Sequence, residues 1–133
     1  DITLNFEEDM IKLSEDQIAE YYGKPYAAAY DAIITSEDFE KMIMIIQNNK
    51  SGFDEGYTAK QFLEDIAAEY EEAAEVVEKE IGNKTFYVLE REYESEEIVY
   101  LEQDYIYDSG DTFVCIIFDN PKESAMNPEK IIK

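Results

Sequence analysis

The sequence contains no histidine and no tryptophan, and it has a single cysteine, Cys115. Without histidine the chain lacks the commonest general base, the usual ligand of catalytic zinc and the residue that most often activates a serine or cysteine nucleophile. One cysteine allows no internal disulfide, and its place inside the apolar run 112–118 predicts a buried thiol rather than a reactive one. Most hydrolase templates are therefore excluded, and we expect no catalytic residue and no cofactor.

Basic residues are also scarce, since 11 lysines and arginines face 33 acidic residues for a net charge of −22. Such a field repels nucleic-acid phosphates and anionic lipid surfaces, so we expect no nucleic-acid partner. If there is a macromolecular partner, charge predicts a basic protein or a cationic envelope polymer. No stretch approaches the roughly 20 apolar residues of a membrane span, so no transmembrane segment is predicted.

The remaining composition is that of an ordinary folded domain. The chain has 133 residues, of which 45% are hydrophobic, and it shows no repeat and no linker rich in proline, glycine or serine. This predicts a single domain over residues 1–133. Because the sequence begins at Asp1-Ile2 without methionine, we expect a processed, exported protein from which an export signal has been removed.

The first half of the chain predicts a strand over residues 2–7, a helix that starts at the capping box Ser14 to Gln17, and a hairpin formed by residues 33–35 and 43–46. We expect Gly23 and Pro25 to end that first helix. A second capping box, Thr58 to Gln61, predicts an amphipathic helix that continues to Ala74.

From residue 76 to residue 119 the pattern predicts an antiparallel meander, with separate strands at 98–101 and 105–107 and a last strand at 112–118. The last strand is apolar on both faces, so both faces of the sheet must be covered. We therefore predict an α+β fold, with an antiparallel β-sheet and helices on both faces, an α/β/α sandwich. The runner-up is a cystatin-like or NTF2-like α+β fold.

The order of these elements resembles the PsbP-like family. The meander carries Gly82, Phe86-Tyr87, Gln103, Tyr105 and Gly110-Asp111, and a further helix start follows at Asn127-Pro128. The family is named for an extrinsic protein of photosystem II and includes a Ran-binding nuclear import factor and many exported bacterial proteins. The resemblance implies the α/β/α sandwich and an exported lipoprotein or envelope protein of unknown function. No functional residue of the photosystem members maps onto this chain.

Four aspartates between residues 100 and 119 raise the possibility of a metal loop. Asp104, Asp108 and Asp111 do not have the spacing of an EF-hand, whose ligands alternate around a glycine at the sixth position. Residues 108–111 instead read as the tight turn of a hairpin, with Gly110 at a positive-φ position. We expect no ordered metal; the alternative is a weak divalent-cation site at Asp108 and Asp111.

The acidic residues suggest where a basic partner would contact the protein. The candidate contacts are an acidic helix face and a strand-linking segment, with the residues Glu64, Asp65, Glu71, Glu72, Glu94, Glu96 and Glu97. The prediction is a non-enzymatic binding or scaffold domain of the cell envelope. A carboxylate-dependent hydrolase remains an alternative, because two suitably spaced acids could serve glycoside chemistry. The 11 tyrosines could form a sugar-stacking surface, but we expect core or rim packing.

Overall fold

The computed structural model describes residues 4–6, 8–70 and 75–132. In these ranges seven strands form an antiparallel sheet in the order β1-β2-β3-β7-β6-β5-β4. The strands are β1 (Met10–Lys12), β2 (Ala32–Ser36), β3 (Met42–Asn49), β4 (Val77–Ile81), β5 (Lys84–Ser95), β6 (Ile98–Asp108) and β7 (Thr112–Pro121). The helices are α1 (Glu15–Tyr22), α2 (Lys24–Ala29), α3 (Ala59–Ala67) and α4 (Pro128–Ile131). The fold is therefore mixed α+β, as predicted.

The first capping box and the first hairpin are confirmed. The Ser14 hydroxyl accepts a hydrogen bond from the Gln17 N–H, and the Gln17 side chain accepts one from the Ser14 N–H, so two free donors at the start of α1 are satisfied. Strands β2 and β3 pair with Ile33 opposite Met44. Gly23 does end α1, but Pro25 lies in the first turn of α2, where its fixed φ suits a helix start.

Of the predicted strand over residues 2–7, the structure describes residues 4–6, and these three do not form a strand of the sheet. Residues 1–3 and 7, including Ile2, lie outside the described residues. Leu4 makes only an isolated antiparallel bridge to Ile132, and the first strand of the sheet is β1, in which Ile11 is paired with Thr35.

The second helix starts as predicted and ends earlier. Thr58 and Gln61 form the capping box of α3, but the helix ends at Ala67 rather than near Ala74. After Ala67 the helical hydrogen bonds give way to backbone hydrogen bonds that span three residues, such as the one from the Tyr70 N–H to the Ala67 carbonyl. The Tyr70 ring then lies against the guanidinium of Arg91 on the sheet. Residues 71–74, the end of the predicted helix, lie outside the described residues.

The prediction of two strands at 98–101 and 105–107 is wrong, because β6 is continuous through residues 102–104. This polar stretch looked like a break in the sequence. In the structure Glu102 pairs with Arg91 on one side and Asp119 on the other, while Asp104 lies opposite Leu89 and Ile117. Partners on neighbouring strands therefore keep the polar stretch in the sheet.

The helices α1, α2 and α3 contact the same face of the sheet, which we call the helix face. Ile33 and Met44 pack with α1 and α2 at one side of this face, whereas Leu89 and Phe113 pack with α3 at the other side. The opposite face carries the largest apolar cluster, and the C-terminal segment packs against it through Met126, Ile131 and Ile132. Among the described residues, no helix has the length and apolar character needed to cross a membrane.

Replacing Leu63 by alanine tests the packing of α3. Leu63 is fully buried at 0% exposure, between the helix and the sheet. We expect Leu63→Ala to lower the free energy of unfolding by about 2–5 kcal/mol, because the substitution leaves a cavity. Lys60, which is exposed on the same helix, provides the control. We expect Lys60→Ala to change the free energy of unfolding, measured by urea denaturation, by less than about 0.5 kcal/mol.

Candidate functional site

Between the two helix-covered areas, the helix face carries a group of polar residues that we call the polar cluster. It consists of Arg91, Tyr93, Glu102, Asp104 and Asp119. Arg91, Glu102 and Asp119 lie opposite one another on β5, β6 and β7, and Asp104 follows Glu102 on the same face of β6. The continuous run of β6 through residues 102–104 is what brings these side chains together.

The charged groups of the polar cluster are paired within it. Arg91 donates two hydrogen bonds to the Glu102 carboxylate, from Nε at 3.3 Å and from Nη2 at 3.0 Å. The same guanidinium lies against the rings of Tyr70 and Tyr93, with its central carbon 4.4 Å and 4.8 Å from the ring centroids. The Tyr93 hydroxyl lies 2.7 Å from both carboxylate oxygens of Asp119, to which it donates.

Asp104 is the most buried acid of the cluster, with only 5% of its surface exposed. Burial raises the pKa of Asp104 to about 8, and the neighbouring Glu102 carboxylate, which is hydrogen-bonded to it, adds to the effect. Asp104 is therefore protonated at neutral pH and can donate to Glu102. Its Oδ1 atom has no hydrogen-bond partner among the described residues. Burial also raises the pKa of Asp119 and of the Cys115 thiol, so Cys115 is a buried, unreactive thiol.

In this arrangement the polar groups of the cluster are paired mainly with one another. Glu102 is neutralised by Arg91, Asp119 accepts from Tyr93, and Asp104 holds its own proton. Three surface cavities in the described part of the chain are lined by other residues. Nor do the described residues contain a group of three acidic or cysteine side chains placed to hold a metal ion.

The aspartates considered as a cation site lie at a hairpin turn, as the sequence indicates. Asp108 ends β6 and Asp111 precedes β7, with Gly110 at φ +106° between them. The Asp108 carboxylate accepts from Lys50 Nζ at 2.9 and 3.0 Å and from the Gly110 N–H at 2.9 Å. Although partial burial opposes it, the Lys50 ammonium lowers the pKa of Asp108. Asp104 lies well away from this turn, in the middle of β6.

The acids predicted to contact a partner fall into two separate groups. Glu64 and Asp65 are exposed on α3, which packs towards the Asp108 end of β6, and Asp65 accepts a hydrogen bond from Tyr57. Glu71 and Glu72 lie outside the described residues. Glu94, Glu96 and Glu97 are exposed at the opposite end of β6, in and beside the turn that joins β5 to β6.

The turn between β2 and β3 lies at that same end of the sheet, and with the β5–β6 turn it forms what we call the acidic end. It contains Glu37, Asp38, Phe39 and Glu40 from the first turn and Glu94, Glu96 and Glu97 from the second. The two turns are close enough for acids of both to act on Tyr100. Burial is the largest effect that raises the pKa of Tyr100, and the carboxylates of Glu40, Asp119, Glu96 and Asp38 raise it further.

The backbone at the acidic end is strained. In the described part of the chain, the non-glycine residues with positive φ are Phe39 at 62°, Glu96 at 50° and Glu97 at 68°, all in these two turns. Ser95 is paired with Ile98, so Glu96 and Glu97 form a two-residue turn in which glycine and asparagine are the usual residues. Such conformations are costly and concentrate at functional sites. Sequence patterns predicted Glu94, Glu96 and Glu97 but missed the contribution of the β2–β3 turn.

Comparison with known proteins adds information about the fold only. No family model matches the sequence, and no curated protein matches it either. A crystal structure of a protein from Bacteroides thetaiotaomicron superimposes with a TM-score of 0.61 at 11% sequence identity. The match covers 99% of this chain but 44% of the other, so the chain spans less than half of its structural neighbour.

The buried proton of Asp104 makes stability depend on pH. Between the ordinary pKa of 3.8 and the folded value of about 8, unfolded Asp104 is ionised while folded Asp104 is protonated. The free energy of unfolding therefore falls as pH rises through this window, by at most about 1.4 kcal/mol per pH unit from this group. We expect Asp104→Asn, which keeps a donor to Glu102, to be more stable than the wild type at about pH 8.5, with a much smaller difference at about pH 4.5.

Urea denaturation across this pH range measures the effect, and Asp111→Asn is the matched control. That substitution also removes one negative charge, but from an exposed position. A gain in stability that is equal for the two variants, or that does not grow with pH, contradicts a protonated Asp104.

Proposed function

We propose that this protein is a non-enzymatic binding or scaffold domain that recognises a basic partner through its acidic end. The partner is a basic protein or a cationic envelope polymer. The observation that carries the proposal is the meeting of two exposed acidic turns at one end of the sheet, both with strained backbone. Proteins retain such strain where it serves function, and the charge of the turns determines which partners are attracted.

Local charge balance supports a cationic ligand. Lys122 pairs with Glu92 beside the β5–β6 turn, and Arg91 pairs with Glu102. Lys41 follows Glu40 in the β2–β3 turn, so the acids of the two turns still outnumber the basic residues beside them. Next to the acids, Ile98 and Val99 are 36% and 41% exposed, so the hairpin also offers apolar surface. Acids around a small apolar patch are suited to a basic protein surface, since rim charges speed association and apolar contacts slow dissociation.

A non-enzymatic role is favoured over the carboxylate-dependent hydrolase. A glycosidase needs one protonated and one ionised carboxyl group on either side of a substrate. The polar cluster does contain a protonated Asp104, but its neighbours are paired with Arg91 and Tyr93, and the three cavities described above are lined by other residues. We assign the cluster, in which Asp104 is buried and the other four residues are half-buried, to the stability of the sheet.

We also propose that the domain belongs to the PsbP-like α/β/α sandwiches and works outside the cytoplasm, at the cell surface or attached by a lipid. Support for the fold comes from the element order and from the C-terminal segment with α4, which packs on the face opposite α1–α3. The cystatin-like or NTF2-like fold is the alternative. The upstream gene sequence tests the localisation: a signal peptide or lipobox cysteine supports export, and a cytoplasmic start contradicts it.

Neutralising the β5–β6 turn tests the proposed binding surface. The variant Glu94→Gln, Glu96→Gln and Glu97→Gln removes three negative charges from exposed positions. We expect the association rate with an oligolysine peptide to fall by at least about twofold, with a weaker dependence on salt. Stopped-flow or surface-based kinetics at two ionic strengths measures both quantities.

The matched control removes three charges from α3, through Glu64→Gln, Asp65→Asn and Glu69→Gln, all exposed. A smaller effect of this control than of the turn variant supports the acidic end. An equal effect of both variants means that only the overall charge of −22 attracts the peptide, and it overturns the assignment of a site.

A further inference from the structure

Next to the acidic end, five aromatic rings follow one another across α1, α2 and the β2–β3 turn. We call them the aromatic row: Phe39, Tyr21, Tyr22, Tyr26 and Tyr30. The Phe39 and Tyr21 rings make a T-shaped contact with their centroids 5.2 Å apart, and the Phe39 centroid lies 6.5 Å from that of Tyr22. Tyr22 stacks on Tyr26 at 5.8 Å, and Tyr26 stacks on Tyr30 at 5.5 Å.

Much of the aromatic row faces solvent. Tyr21 is 52% exposed, Tyr26 is 45% exposed and Phe39 is 41% exposed. These three rings therefore lie at the surface of the fold and not in its core. Contiguous exposed aromatic surface of this kind marks interaction sites in soluble proteins, because aromatic rings give large contact area at little cost in side-chain entropy.

The fold does not require a phenylalanine at position 39. Its φ of 62° is one that glycine or asparagine adopts more easily. The turn is held by other groups: the Ser36 hydroxyl donates to Asp38 at 2.6 Å, and the Phe39 N–H donates to the Ser36 carbonyl at 3.0 Å. A glycine at position 39 could keep these bonds, so the phenyl ring is not needed to form the turn.

The charges around the aromatic row favour a cationic ligand. From residue 14 to residue 41, which contains the whole row, the chain has seven acidic residues and two lysines. The face of an aromatic ring attracts cations, and a flat guanidinium can stack on it while donating to carboxylates. The chain already packs one guanidinium in this way, since Arg91 lies between Tyr70 and Tyr93 and donates to Glu102.

We propose that the aromatic row binds arginine side chains of the basic partner, with the guanidinium groups stacked on Phe39 and Tyr21 and the acidic end attracting their charge. This inference rests on the proposed function and adds to it a preference for arginine over lysine. It commits to a peptide or protein ligand rather than a neutral sugar, although both stack on aromatic rings.

Affinity for oligoarginine and oligolysine peptides of equal length tests the inference, in the intact protein and in three variants of Phe39. We expect the wild type to bind oligoarginine more tightly. Phe39→Leu, which keeps an apolar side chain, and Phe39→Gly, which relieves the positive φ, are each expected to weaken oligoarginine binding by about two- to fivefold. Phe39→Trp is expected to bind at least as tightly as the wild type.

The outcomes separate this inference from the proposed function. If both peptides bind equally, and the Phe39 variants behave like the wild type while neutralising the β5–β6 turn weakens binding, the aromatic row is not the arginine site although the basic-partner function holds. If neither peptide binds, both proposals fail. Binding of a neutral oligosaccharide that is lost in Phe39→Leu overturns the choice of ligand. Thermal unfolding of Phe39→Gly at or above the wild-type temperature shows that lost binding is not lost folding.

Discussion

Repulsion among 33 acidic side chains, opposed by only 11 basic ones, is the constraint on which the rest of this structure depends. The fold places most of these acids on exposed helix surfaces and in turns, where water screens them. The three acids of the polar cluster are satisfied individually: Glu102 pairs with Arg91, Asp119 accepts a hydrogen bond from the Tyr93 hydroxyl and Asp104 keeps its own proton. The apolar rows on both sides of the polar cluster then pack without an unpaired negative charge between them.

Local signals in the sequence were sufficient for much of the fold. The capping boxes at Ser14 and Thr58 place the starts of α1 and α3, because the side-chain bonds that define them lie within four residues. The β2–β3 hairpin and the turn at Gly110 follow from β-branched runs and glycine. The middle of β6 could not be predicted in this way, since residues 102–104 stay in the sheet through partners that are distant in the chain, such as Arg91 and Asp119.

The acidic end shows the same division between local and long-range information. Glu94, Glu96 and Glu97 are visible in the sequence as an acidic segment. Their proximity to Asp38 and Glu40 is a consequence of strand order, because β3 lies beside β7 and β7 beside β6. The positive φ of Glu96 and Glu97 has no sequence signal either, since asparagine and glycine are the residues that normally indicate such a turn. The aromatic row likewise needs Phe39 to fold back over Tyr21.

Strain, charge and exposed rings therefore coincide at one end of the sheet. The central claim is that recognition takes place there. Backbone amide chemical shifts recorded while an oligoarginine peptide is added test this claim most directly. The account predicts that the largest changes occur in α1, α2, residues 37–40 and residues 94–99, with α3 and residues 108–112 little affected. Changes centred on α3, or spread evenly over the acidic surface, would contradict it.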